Sequence, residues 1–127
     1  MKLRIQGNSL RMRLSRSEVM RLNEKLIIED TINFGTSKLT YILSVSQNVN
    51  TICAKYNGDV IEVKVPPAIA RDWASTDRVS ISADQMLDSA KTLQILIEKD
   101  FKCAHNPAEA NADAYPNPLA AERKLTD

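Results

Sequence analysis

Four cations stand where a short hairpin would gather them. Lys2, Arg4, Arg11 and Arg13 alternate with Leu3, Ile5, Leu10 and Met12 on either side of Gly7-Asn8, and period-two alternation sends neighbouring side chains to opposite faces of a strand. Gly7-Asn8 suits a two-residue hairpin turn. Pairing Gln6 with Ser9 sets Ile5 against Leu10 and Leu3 against Met12 on one face, with Arg4 against Arg11 and Lys2 against Arg13 on the other. Planar guanidiniums grip a carboxylate or phosphate through two parallel hydrogen bonds, so this face is a candidate anion-binding surface. Like charges directly opposite one another are destabilising. Acid nearby is therefore expected, and the plainer reading has Glu29, Glu62 and Glu98, on polar faces of other strands, or water, neutralising the cations. A single longer strand bulged at Gly7 would instead separate the arginines.

A second group follows the last apolar run. Asp100-Phe101-Lys102-Cys103-Ala104-His105, with Asp113 beyond, gathers the only histidine, a thiol and two carboxylates, all competent zinc ligands. Cys-x-His is not a zinc-finger or zinc-ribbon spacing, however, and a structural site needs a fourth good ligand. Cys103 and His105 could also form an activated thiolate, but no third group orients the ring and no oxyanion donors can be named. The simpler reading makes Cys103 a small buried hydrophobe and His105 a hydrogen-bonded polar residue. Cys53, between Thr51 and Lys55 on a polar strand face, has nothing further to suggest reactivity.

The elements that must position these groups are readable from periodicity. Ser15-Arg16-Ser17-Glu18 fits a capping box, and Val19, Leu22 and Leu26 repeat at helical spacing, which predicts a helix over 16–25. Strands are expected over 26–34 and 39–45, with Phe34 opposite Leu39 and Ile32 opposite Tyr41. Asn57-Gly58 signals a further hairpin pairing Ala54 with Ile61 and Ile52 with Val63. Pro66-Pro67 ends that strand and opens a short helix with Ile69 and Trp73 on its buried side. Trp73 reads as a core anchor. Strands over 77–82 and 92–99 flank a polar connection containing Asp84, Asp88 and Lys91. The fold expected is α+β: a mainly antiparallel twisted sheet or incomplete barrel of about eight strands, with two short helices and an extended C-terminal tail. Residues 1–103 form the single domain of this reading and 104–127 an extended or partly disordered tail. No internal repeat is visible.

With 127 residues, 43 % apolar and 26 % charged, the chain has the make-up of an ordinary globular protein. Its 17 Lys+Arg against 16 Asp+Glu give a net charge of +1, too balanced for a general nucleic-acid binder, and 5 % aromatic residues offer no stacking array. Charge is local: residues 1–25 carry seven basic and two acidic side chains. Two cysteines make no disulfide framework, and neither a signal peptide nor an 18-residue apolar run is present, so a cytoplasmic setting is expected and a membrane is not. With three glycines there is no phosphate loop, Rossmann fingerprint or nucleophile elbow, and no cofactor is expected. A triphosphate-processing tunnel, which opens with alternating glutamates, does not fit Lys2-Leu3-Arg4-Ile5-Gln6 either.

The opening Arg4-x-x-x-Asn8-Ser9-x-Arg11-x-Arg13-Leu14, the later Glu98-Lys99-Asp100-Phe101-x-Cys103-x-His105, and Asp113-x-Tyr115-Pro116-Asn117-Pro118 resemble an uncharacterised family of small bacterial proteins, over nearly all of Met1 to Pro118. The resemblance implies a bacterial, stand-alone domain and carries no activity, cofactor or partner.

The functional expectation is a non-enzymatic binding or interaction protein whose Arg-rich face meets an anionic small molecule, an acidic protein partner or its own tail. The alternative is a small metal-dependent or thiol enzyme centred on Cys103 and His105, with Asp100 and Asp113. Self-association through a sheet edge is compatible with either. If Asp100 and Asp113 reach Arg4, Arg11 and Arg13, Arg11→Ala will increase proteolysis after residue 103; unchanged cleavage there counts against tail docking.

Overall fold

The computed structural model describes residues 1–101. Their order is β1 (Lys2–Gln6), β2 (Ser9–Leu14), α1 (Arg16–Lys25), β3 (Ile27–Asn33), β4 (Lys38–Val45), β5 (Cys53–Asn57), β6 (Val60–Val65), α2 (Pro67–Ser75), β7 (Ser80–Met86) and β8 (Thr92–Lys99). Eight strands and two helices are thus present, and the tail expected over 104–127 lies outside the described residues. No helix among those described is long and apolar enough to cross a membrane.

Local chemistry sets the helix ends. The Glu18 amide donates to the Ser15 hydroxyl at 3.3 Å while the Glu18 carboxylate accepts from the Ser15 amide at 2.8 Å, closing the capping box. Leu26 does not extend the apolar stripe. It terminates α1 in the left-handed conformation, φ 66, its amide donating to the Leu22 carbonyl at 2.8 Å. The reversal into β3 turns its side chain outward, leaving it 51 % exposed. Trp73 on α2 is fully buried, and its indole N–H donates to the Val79 carbonyl at 3.0 Å.

The strands form two mixed sheets rather than one mainly antiparallel sheet, and they do not close into a barrel. Their orders are β1-β2-β8-β7 and β3-β4-β6-β5. All four hairpins are antiparallel, but the centre of each sheet is a parallel pairing, β2 with β8 and β4 with β6. Period-two alternation says which face of a strand is apolar and nothing about its neighbour, so these long-range pairs left no local signal.

The first hairpin has the expected register, Gln6 opposite Ser9 and Arg4 opposite Arg11. Two others slide by two residues, which preserves their faces. Ala54 meets Val63, not Ile61, because Gly58 and Asp59 take the left-handed turn positions, φ 56 and 65. Ile32 meets Leu39, not Tyr41, because Phe34 joins the loop: its amide donates to the Ser37 carbonyl, and the Asn33 side chain accepts from the Gly35 amide, both at 2.9 Å. Strand β7 starts later than expected. Thr76 and Arg78 fold back on Asp72, keeping residues 76–79 out of the ladder and putting Asp84 on the strand rather than in the connection.

The topology repeats one unit twice, which residue identities conceal. β1-β2-α1-β3-β4 and β5-β6-α2-β7-β8 are the same ββαββ unit, and exchanging the units converts one sheet order into the other. The Gly7-Asn8 and Gly58-Asp59 turns, the N-caps Ser15 and Pro66, and buried Leu22 and Trp73 occupy equivalent places. Leu10 lies beside Ile95 just as Ile61 lies beside Tyr41.

Each sheet therefore carries its hairpin turns at one end. The helices, in contact with each other, follow the opposite ends of β2 and β6. Inner faces of both sheets and both helices supply one hydrophobic core, including Met12, Leu14, Leu43, Val63, Ile81 and Ile97. The interior is hydrocarbon, not a charged tunnel.

The seams between the sheets are tied by polar groups. At the β5/β7 seam, the Gln85 amide accepts from the Ala54 N–H at 2.7 Å and donates to the Ala54 carbonyl at 3.1 Å, standing in for a strand partner. At the other seam, the Met1 ammonium pairs with Glu18 and, at 3.1 Å, with Asp30 on β3; the Tyr41 hydroxyl donates to the Met1 carbonyl at 3.2 Å. These ties occupy parts of the free edges through which another chain could pair. Gln85→Ala leaves the Ala54 groups unpaired and is expected to cost about 1–3 kcal/mol in urea unfolding, with faster hydrogen exchange at the Ala54 amide; an unchanged midpoint with the amide still protected would show the seam holds without it.

Candidate functional site

Alternation places Leu3, Met12 and Leu14 toward the core, so Lys2, Arg4, Arg11 and Arg13 share the outer face of the β1–β2 hairpin. All four sequence-predicted cations are thus brought together. Their neutralisation is partial and uneven. Glu98, beside Arg13 across the parallel pairing of β2 with β8, accepts from Arg13 Nε at 2.6 Å, and Arg11 Nε lies 3.7 Å from the same oxygen. Glu29 and Glu62 belong to the other sheet, so only one of the three expected glutamates serves this face. Lys2 Nζ donates to Asp100 at 2.9 Å. Arg4 is exposed and has no ion pair among the described residues.

The pKa shifts follow these contacts. The Glu98 hydrogen bond holds Arg13 above its ordinary range against a small burial penalty. The Lys2 hydrogen bond, helped by the Lys2 and Arg13 charges, holds Asp100 below 3.8. Asp100 is anchored by geometry as well: its amide donates to the Leu14 carbonyl at 2.8 Å.

Asp100 is therefore engaged by the basic face. Cys103, His105 and Asp113, proposed with it as metal or thiol chemistry, lie outside the described residues. Cys53 is a half-buried free thiol.

A family model described as a family of unknown function (DUF7009) matches residues 1–119, taking in the basic hairpin and the Asp100-to-Asp113 group together. The chain belongs to this family. Curated proteins and solved structures give no match.

Sequence reasoning passed over one feature of this DUF7009 fold, a cavity of about 530 Å³ at the hairpin-turn end. Of its lining residues, Ile5, Leu10 and Ile61 read in the sequence simply as members of an apolar face, and Tyr56 carries no signal there. The usable signal is positional: apolar residues next to two-residue turns, at the end of the sheets that neither helix follows, have nothing above them among the described residues.

Among the described residues of this DUF7009 protein, a further cluster of titratable groups surrounds Met1. Burial opposes charge on the Met1 amine, but hydrogen bonds from it to Glu18 and Asp30 prevail and hold its pKa above 8.0. Burial likewise opposes charge on Glu18, and the amine together with the Ser15 amide holds it below 4.5. Burial, then the Asp30 and Glu18 charges, push Tyr41 upward. A depressed carboxyl contributes stability above its unfolded value and loses it as pH falls through the folded one; a raised amine contributes below pH 8.0 and loses it as pH rises through its folded value. Glu18→Gln is expected to lower stability by about 1 kcal/mol at neutral pH, the gap to wild type narrowing as pH falls below 4.5 in thermal melts. A gap independent of pH would assign Glu18 a capping role without charge.

Proposed function

We propose that this protein is a non-enzymatic binding or interaction protein of the bacterial cytoplasm, and that the outer β1–β2 face receives an anionic group. The reading rests on one comparison between equivalent positions of the two units. Where the first hairpin has Arg4, Arg11 and Arg13, the second has Lys55, Glu62 and Lys64, with Glu62 directly opposite Lys55. The second hairpin alternates the sign of its charges across the register. The first has Arg11 at the glutamate's place, and so sets guanidinium against guanidinium at a cost in stability.

Lys2 and Arg13 are held closely by Asp100 and Glu98, Arg11 only by the longer 3.7 Å approach to Glu98, and Arg4 by no ion pair among the described residues. Arg4 and Arg11, nearer the turn, are therefore the groups best placed to grip a carboxylate or phosphate from outside. A small anion suits a two-arginine grip better than nucleic acid does, given a net charge of +1. The cytoplasmic setting is supported by a free Cys53 and the absence of a disulfide framework in the sequence.

Calorimetric titration and thermal melts with inorganic phosphate, pyrophosphate and citrate test the reading. A saturable, salt-weakened rise in melting temperature is expected. Arg4→Ala and Arg11→Ala should each weaken affinity about tenfold, the order of one charge-assisted hydrogen bond, while Lys38→Ala on the other sheet leaves it unchanged. Binding of none of these anions, or binding indifferent to both arginines, refutes small-anion recognition here; response to an acidic peptide alone would make the partner a protein.

A further inference from the structure

We infer that the cavity at the hairpin-turn end is a second binding site, distinct from the arginine face, for a small amphipathic anion: an aliphatic chain ending in a carboxylate. Three observations carry the inference.

The first is shape. The space is about 530 Å³, within the range of sites that enclose small molecules, roughly 300–1,000 Å³. It is lined by both sheets through equivalent positions of the repeated units, Ile5 with Tyr56, Leu10 with Ile61, and Leu39 with Leu93. Opposed sheets make a concavity rather than a flat patch, and a slender chain fills it better than a protein surface would.

The second is the state of its polar groups. The Gln85 amide is used at both ends by Ala54, and the Asn8 amide nitrogen donates to the Thr92 carbonyl at 2.8 Å. Gln85 is thus engaged at both ends of its amide, and most of the remaining lining is aliphatic, which suits an occupant whose buried part is hydrocarbon.

The third is charge. Lys55 is the one charged residue in the lining and makes no ion pair among the described residues. It lies on β5, an edge strand, beside Tyr56, which is 68 % exposed. A single ammonium at the lip of an apolar space matches a single terminal carboxylate: the chain enters the space and its headgroup stays in water against Lys55.

The test titrates the full chain with straight-chain carboxylates from hexanoate to dodecanoate, and with the alcohols of the same lengths, below their micelle-forming concentrations. Affinity should rise with each methylene until the space is full and then level off. Leu10→Trp, which fills the space, should abolish binding, with the melting temperature of the free protein confirming that it folds; Leu93→Phe provides a milder filling should it not. Lys55→Gln should weaken carboxylates about fivefold, the order of one exposed ion pair, and leave alcohols unchanged. Arg4→Ala and Arg11→Ala should leave alcohol binding and the chain-length dependence of carboxylate binding unchanged, which separates this site from the arginine face. Affinity independent of chain length, binding retained in both filled variants, or no binding combined with a dimer in light scattering that Leu10→Trp dissociates, each overturns the proposal, the last by making a second copy the occupant.

Discussion

Two parallel strand pairings hold this molecule together, β2 with β8 and β4 with β6. Each hairpin is local and would be marginal alone in water. Each becomes part of a four-stranded sheet only by joining a hairpin from the other ββαββ unit. Neither unit holds a complete sheet, so the core between the sheets cannot form from half the chain. Pairing Ser9 with Gln94 closes most of the described chain into one loop, which places this fold among those whose rate is limited by distant contacts. The polar ties at the seams are secondary to this. They join sheets that the parallel pairings have already built.

Repetition of the unit gives the two outer faces the same backbone and lets their chemistry differ. Core positions stay apolar in both units, Met12 with Val63 and Leu14 with Val65, all essentially inaccessible to solvent. Solvent-facing positions carry no such constraint and differ, with Arg11 in one and Glu62 in the other. Because exposed charge pairs contribute little to stability, a cationic face of this kind is tolerated without being required by the fold. Its partial neutralisation by Glu98 and Asp100 at the helix-proximal end leaves Arg4, nearer the turn, without an ion pair among the described residues.

What was legible in the sequence follows the range of each interaction. The Ser15 capping box, the Gly7-Asn8 turn and Pro67 act within a few residues, and the elements they specify appear where expected. Faces were also legible, since a two-residue slide in the Ala54 and Ile32 registers leaves alternation intact. The slide itself was not. Asn57-Gly58 and Gly58-Asp59 both satisfy the positive φ that such a turn needs, and the choice puts the turn in the same place relative to β4 as Gly7-Asn8 has relative to β8, with Thr40 donating to the Asp59 carbonyl at 3.0 Å. A long-range neighbour thus selected between local alternatives. The repeat stayed hidden for a related reason: it conserves turn position and burial, while Leu22 and Trp73, or Ser15 and Pro66, fill equivalent places with unrelated side chains. The basic face was visible because its four members lie within one hairpin. The cavity was not, because its lining comes from both sheets.

The same architecture explains why hydrocarbon lies open at one end. A ββαββ unit covers the helix end of its strands with an amphipathic helix, and two such units place α1 and α2 in contact there. Among the described residues the opposite end has only connections. The turns at Gly7-Asn8 and Gly58-Asp59 are two residues long and carry small polar side chains, so they cannot fold over the apolar positions beside them. The inner faces nevertheless continue to the turns, since the alternation that buries Met12 and Val63 also points Leu10 and Ile61 inward. An apolar mouth is therefore the geometric remainder of building two sheets from two-residue hairpins. Such a remainder costs free energy in water unless something fills it. The phase that draws hydrocarbon to this mouth also sends Arg4 and Arg11 to the outside, so the two surfaces share one origin but need different chemistry to satisfy them.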